Sequence, residues 1–207
     1  MRKLLWSIAA MILILSVYNC SSDSDQDYYN SGMQNISDGN ISEAVTNFKA
    51  LLDEFPESRL AAKSYFELGK LHITEKNYDE ALMSFENVIN KFPDSSYAPS
   101  AMYEIGRLYH GRAIKNLSPA KSLQKGVEYY KKVFDEYPES PEAPNALFMA
   151  GFLLANELND LETARSYYQL FIEKFPQSDL YDDAKSELDN LGKSPEEILN
   201  SKKEPVN

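Results

Sequence analysis

With 43% apolar, 12% aromatic and 26% charged residues, a chain of 207 residues has the material for a sizeable core and is too apolar to stay disordered. Its formal charge of −11 argues against nucleic acid as a partner, since phosphates demand a basic face. The one cysteine has no partner for an internal disulfide, and two histidines leave little from which to build a metal site, so neither a metal nor a cofactor is expected.

The first predicted element is a targeting segment. Arg2 and Lys3 precede the uncharged stretch Leu4–Tyr18, and a polar run follows from Ser21 to Asp25. A charged start, an apolar stretch and a polar break describe a secretory signal over residues 1–19. The alternative is an uncleaved anchor, although the stretch is shorter than the roughly 20 residues that span a bilayer. Val17-Tyr18-Asn19-Cys20 resembles the lipobox of bacterial lipoproteins. That resemblance implies that Cys20 is lipidated and starts the mature chain, and that Ser21 directs it to the outer membrane, on the periplasmic face. Each buried acyl methylene contributes about 0.8 kcal/mol, so two or three chains anchor firmly. Residues 20–25 then form a lipid-anchored linker, and Ser21–Gln26 reach only about 20 Å from the membrane.

The remainder is an array. Phe55-Pro56-Glu57-Ser58 recurs as Phe92-Pro93-Asp94-Ser95, Tyr137-Pro138-Glu139-Ser140 and Phe175-Pro176-Gln177-Ser178. Aligning these phrases produces columns: Gly32, Gly69, Gly106 and Gly151; then Ala44, Ala81, Gly126 and Ala164; then Phe48, Phe85, Tyr130 and Tyr168. The spacing predicts two helices per unit, turning near Gly39-Asn40, Lys76-Asn77 and Leu158-Asn159-Asp160, with the small and aromatic columns on one face of the second helix. Glycine within a helix costs about 1 kcal/mol relative to Ala, so a glycine column points to close helix approach, with the small residue of the second helix as its facing partner. Proline after Phe or Tyr ends each second helix, and the Ser two residues later is placed to cap the next one.

These columns resemble tetratricopeptide repeats, whose period is 34 residues. The resemblance implies an all-α solenoid of antiparallel helix pairs over residues 26–192, in units of about 25–58, 62–95, 99–140 and 144–178, closed by a C-terminal capping helix at 179–191. Ser194-Pro195-Glu196-Glu197 predicts a short helix within 193–207, before a frayed tail. A lipid anchor followed directly by repeats with Pro-x-Ser boundaries resembles the BamD family of outer-membrane assembly lipoproteins, and less closely the Tol-Pal coordinator family (CpoB, also YbgF). The resemblance implies a non-enzymatic scaffold whose partners are envelope proteins, including outer-membrane β-barrel assembly components, with contact to the membrane through the N-terminal lipid. A coordinator role in the envelope and a lipoprotein that binds a small solute remain open beside it.

No nucleophile elbow, phosphate-cradling loop or metal-spaced cluster is present, and His72 and His110 read as ordinary helix-face histidines. Two features stand out. Tyr29, Phe66, Tyr103 and Phe148 form an aromatic column, one turn before Met33, Lys70, Arg107 and Phe152, with Lys63 and Asn145 alongside. These residues form either a groove for a partner's segment or packing between helices. The third unit holds eight extra residues within His110–Leu123, in a stretch rich in Arg112, Lys115, Lys121 and Lys125. Two further helical turns projecting there would dock an acidic partner or lipid headgroups, or form a solvated hairpin.

Overall fold

The structure, a computed structural model, describes residues 24–201; the signal stretch, Cys20 and the tail from Lys202 lie outside the described residues. Among the described residues there are ten α-helices and no strand. None of these helices is long and apolar enough to cross a membrane. The chain divides into two compact units, Met1–Ala61 and Ala62–Asn207.

In the first unit, α1 (Asp25–Ser37) and α2 (Ile41–Glu54) form one hairpin. Ser24 and Asp27 cap α1 reciprocally: the Ser24 N–H donates to Asp27 Oδ2 at 3.0 Å, and the Asp27 N–H donates to Ser24 Oγ at 3.2 Å. These hydrogen bonds hold the exposed Asp27 carboxyl below the usual carboxylate range. The second unit contains α3 (Ala61–Thr74, all but its first residue), α4 (Tyr78–Lys91), α5 (Ala98–His110), α6 (Pro119–Glu136), α7 (Ala143–Phe152), α8 (Leu161–Lys174), α9 (Tyr181–Asn190) and α10 (Pro195–Ser201). Its core is three successive clusters, each tying one hairpin to the next. Ala81, Phe85 and Val88 of α4 meet Ala101, Ile105 and Leu108 of α5. Tyr130 and Val133 of α6 meet Ala146 and Ala150 of α7. Tyr168 and Phe171 of α8 meet Ala184 of α9, so α9 covers the last apolar face.

The Phe-Pro-x-Ser joints act as punctuation. Each second helix ends on the aromatic residue, whose N–H makes the last α-helical bond, as from Phe92 to the Val88 carbonyl at 2.9 Å. Where the serine makes a hydrogen bond it caps a turn and not the following helix, and Ser140 Oγ makes none. Ser95 Oγ accepts from the Tyr97 N–H at 3.2 Å and Ser178 Oγ from the Leu180 N–H at 3.2 Å, and in each case the helix begins a residue later. The glycine column also differs in partner from the sequence reading. A Cβ on Gly69 would lie 2.4 Å from the Phe85 ring, and one on Gly106 2.7 Å from the Tyr130 ring. The aromatic of the second helix, one turn beyond the small residue, fills the space that a side chain would occupy. In the third hairpin the small column comes close as well, because a Cβ on Gly126 would lie 3.2 Å from the His110 backbone nitrogen and 3.4 Å from the Gly106 carbonyl.

The extra residues of the third hairpin are divided between loop and helix. After α5 ends at His110, residues 111–118 form a loop, and α6 has 18 residues against 14 in α4. One helical turn is added, not two, because Ser118 accepts from the Lys121 N–H at its N-cap and Pro119 fixes the first helical position. The loop is drawn inward: Ala113, Ile114 and Leu117 pack half-buried on the cluster shared by α4 and α5. Buried Ser122, in the added turn, donates from Oγ at 2.6 Å to the Tyr109 carbonyl, which also accepts from the Arg112 N–H at 3.0 Å, and so fastens the turn to the end of α5.

Candidate binding cleft

On α5, Tyr103, Arg107 and His110 follow at steps of four and three, one stripe of a helix. This stripe forms one wall of a cleft of ≈ 520 Å³, completed by Gly111 and Arg112 of the loop, Tyr130 of α6, Met149 of α7 and Glu157. Arg112 has φ 54°, a left-handed conformation that Lys76 and Asn159 adopt at the ends of the other first helices of this unit. The helix end thus fixes the backbone from which its guanidinium projects. Glu157 is placed by a π-helical turn, Leu153–Glu157, that extends α7 and closes with the Leu158 N–H on the Leu153 carbonyl at 3.0 Å.

The end of α5 and the π-helical turn meet in an ion pair. Arg112 Nη2 lies 2.6 Å from Glu157 Oε2, with both side chains partly exposed. Arg107 is held from its own helix, its Nη1 lying 2.9 Å from Glu104 Oε1. Each arginine contributes one terminal nitrogen to its carboxylate, and a guanidinium carries five N–H donors. The floor is aromatic and soft: the Tyr103 and Tyr130 ring centroids are 5.3 Å apart, and Met149 lies beside them. Burial pushes both phenols above their ordinary range, so their hydroxyls remain protonated donors. Burial holds His110 below the ordinary histidine value, reinforced by Arg112 and Arg107 and opposed by Glu157. The imidazole is therefore neutral near pH 7. The arrangement offers hydrogen-bond donors to an anion over an apolar floor.

Tyr103, Arg107 and Arg112 are the sequence-predicted residues that this cleft brings together. Elsewhere in the second unit, the Phe66 ring sits 5.6 Å from both Phe85 and Tyr97, with the Lys70 ammonium 5.8 Å above it and 2.9 Å from Glu67. Phe148 packs on Tyr168 and Phe171, Phe152 is half-buried farther along α7, and Lys63 is half-buried on α3. Asn145 lies in a separate depression with Pro141, Pro144 and Pro176. Lys115 and Lys121 are exposed, and the Lys125 ammonium lies 5.3 Å from the Tyr109 ring centroid. In the first unit, Tyr29 is buried against Phe48, with ring centroids 5.6 Å apart, and Met33 is exposed. The aromatic column thus packs on the second helix of its own hairpin, and the half-buried Phe66, Tyr103 and Phe148 keep one part at the surface.

Sequence reasoning did not place His110, Tyr130, Met149 or Glu157 at a site. His110 was legible as the third member of the Tyr103–Arg107 stripe. Glu157 also left a trace: Gly151 to Pro176 is one residue longer than Gly69 to Pro93, and a single inserted residue is what a π-helical turn absorbs.

Paired antiparallel helices with a glycine-to-aromatic contact in each hairpin define a tetratricopeptide-repeat fold, and solved structures agree. A tetratricopeptide repeat protein from Parabacteroides merdae matches at 17% identity over 80% of this chain and 59% of its own, with a TM-score of 0.63. The C-terminal part of a repeat protein from Cytophaga hutchinsonii matches at 20% identity over 83% of this chain and 61% of its own, TM-score 0.62. MamA from Desulfovibrio magneticus RS-1 matches at 23% identity over 76% and 79%, TM-score 0.55. The chain spans about 59% of the length of the first of these. No curated protein matches. The family profile described as YfiO, outer membrane lipoprotein, matches over residues 21–149 and 63–194, and the chain belongs to that family.

Proposed function

We propose that this chain is a lipid-anchored scaffold of the bacterial cell envelope, on the periplasmic face of the outer membrane, where it serves the assembly of outer-membrane proteins. Lipidation at Cys20 ties it to the membrane. The first helices of the second unit then hold a segment of an envelope partner, gripped by Phe66, Lys70, Tyr103, Arg107, Phe148 and Phe152. The family match carries this reading, since it begins immediately after Cys20 and runs to residue 194. The half-exposed aromatics and the cleft beside them support it, because partly exposed rings with cations nearby are common anchors of a protein interface. The basic loop contributes Arg112 to the grip, while Lys115, Lys121 and Lys125 form an outward rim that attracts acidic surfaces.

A photoreactive residue placed at Phe66 or Tyr103 in cells tests the reading. It should capture a β-barrel assembly protein. Capture of Tol-Pal components instead would make the chain an envelope coordinator, and a tightly held small molecule without a protein partner would make it a solute-binding lipoprotein. Cys20→Ala should move the chain from the membrane fraction to the soluble one. Retention in the membrane would place the anchor at Leu4–Tyr18.

A further inference from the structure

The cleft stands where two independent departures from the repeat meet. The third hairpin is lengthened by eight residues and the fourth by one, relative to the first; Arg112 stands at the helix end where the first insertion begins, and Glu157 in the π-helical turn that takes up the second. A repeat array is stable without either insertion, and a π-helical turn gives up regular α-helical bonding, so their convergence on one cleft calls for more than a packing explanation. The ion pair itself shows what the cleft accepts: Glu157 places a carboxylate oxygen 2.6 Å from Arg112, in a space that Arg107 also lines. A planar carboxylate matches the fork of a guanidinium. A phosphate dianion would bring a second negative charge toward Glu157 and Glu104, whereas a monoanionic carboxylate replaces Glu157 one for one. The floor of Tyr103, Tyr130 and Met149 suits an aromatic or aliphatic neighbour of that carboxylate on a peptide.

We propose that the cleft is a carboxylate-binding site that takes an Asp or Glu side chain from an acidic, aromatic-containing segment of a partner protein, held between Arg107 and Arg112, with Glu157 as the internal group it displaces. In taking the ligand to be a protein segment, this rests on the scaffold reading above. Glu157 acts as a competitor. In the empty cleft it neutralises Arg112; on binding it is released to solvent, which its partial exposure allows.

The test uses the purified full-length chain in detergent and a fluorescein-labelled peptide of alternating Phe and Glu, compared with its Phe and Gln counterpart by anisotropy. The Glu peptide should bind and the Gln peptide should not. Arg107→Gln and Arg112→Gln should each weaken binding about tenfold or more, without a shift in melting temperature. Glu157→Gln should tighten binding several-fold, a gain that a merely structural ion pair would not produce. Equal binding of the two peptides, no binding of either, or weaker binding by Glu157→Gln overturns the assignment. So does displacement of the peptide by inorganic phosphate, or by vesicles of anionic phospholipid, which would make the cleft a headgroup site. The scaffold reading is decided separately, by the crosslink from Phe66, which lies outside the cleft.

Discussion

The hairpins α3–α4 and α5–α6 share their columns of residues and differ in what happens after the first helix ends. In both, that helix closes with a left-handed residue, Lys76 or Arg112, and a return bond from the next N–H, Asn77 to His72 at 2.8 Å or Ala113 to Leu108 at 3.0 Å. In α3–α4 the second helix then begins at once, at Tyr78. In α5–α6 the chain first runs through the loop to Ser118, buries Ile114 and Leu117, and starts a longer helix. The insertion is spliced in after an unchanged helix end, so the core keeps its register while the rim gains a cleft. Arg112 inherits from the shared helix end the rigidity that a binding side chain needs.

If the two hairpins share one core contact, the same substitution should break both. Gly69→Ala and Gly106→Ala each push a Cβ into a buried ring, at 2.4 Å from Phe85 and 2.7 Å from Tyr130. Each should destabilise the chain by about 2–3 kcal/mol in urea unfolding, Gly69→Ala the more. Gly151→Ala meets Tyr168 only at 3.1 Å, and the helix propensity of Ala returns about 1 kcal/mol, so it should fall within about 1 kcal/mol of wild type. A Gly106→Ala as mild as Gly151→Ala would show that the inserted hairpin is looser than the regular one.

Ser122→Ala probes the inserted turn alone. It removes the hydroxyl but leaves the Tyr109 carbonyl its other donor, the Arg112 N–H at 3.0 Å, so the loss is that of one hydrogen bond, about 1 kcal/mol. The α4 helix has no counterpart to this bond, since Ser84 donates within its own helix to Glu80. A cost near zero would mean that the added turn is not fastened to α5.

These hairpins also show how far the sequence could be read. Glycine, aromatic and proline columns set the register, because close packing and helix stops demand particular residue types at fixed steps. What they could not show was which neighbour meets the glycine. Ala81 and Phe85 lie on the same helical face, and only the three-dimensional approach of α3 selects Phe85. The serines of the joints looked like helix caps, but two successive turns intervene, and turn count is invisible when every candidate residue tolerates a turn. At the cleft, Tyr103 and Arg107 were legible as a stripe. Arg112 was legible only as one charge in a basic run, and its pairing with Glu157 across 45 residues depends on a π-helical turn that a one-residue offset hints at without locating.

Arg112→Gln separates the rim from the core. The Arg112–Glu157 pair is half-exposed, and exposed pairs contribute little, so unfolding stability should change by less than about 1 kcal/mol while peptide binding falls. A larger loss would make the pair a structural clasp between the end of α5 and the π-helical turn.

The smallest effect falls on His110. The corresponding position of the α3–α4 hairpin, four residues past its glycine, is Ile73, so an imidazole at this position belongs to the inserted hairpin and not to that one. His110 is held below the ordinary histidine value of 6.5 by burial, and by Arg112 and Arg107, against the pull of Glu157; Tyr130 presents its ring edge-on with centroids 6.5 Å apart. The unfolded chain therefore binds the proton more readily than the folded one. The stability contributed by a neutral His110 is fully present above pH 6.5 and declines as pH falls through 6.5 toward the lower folded value. His110→Gln should flatten that part of the pH profile and leave the rest unchanged. Carboxylate binding should move the other way, strengthening as the imidazolium adds a positive charge to the cleft. An NMR titration of the His110 ring should show a midpoint below 6.5, lowered further by Glu157→Gln and raised by Arg107→Gln. A midpoint indifferent to both substitutions would mean that the imidazole does not share its field with the arginines and Glu157, and that the inserted hairpin has added a loop without adding a site.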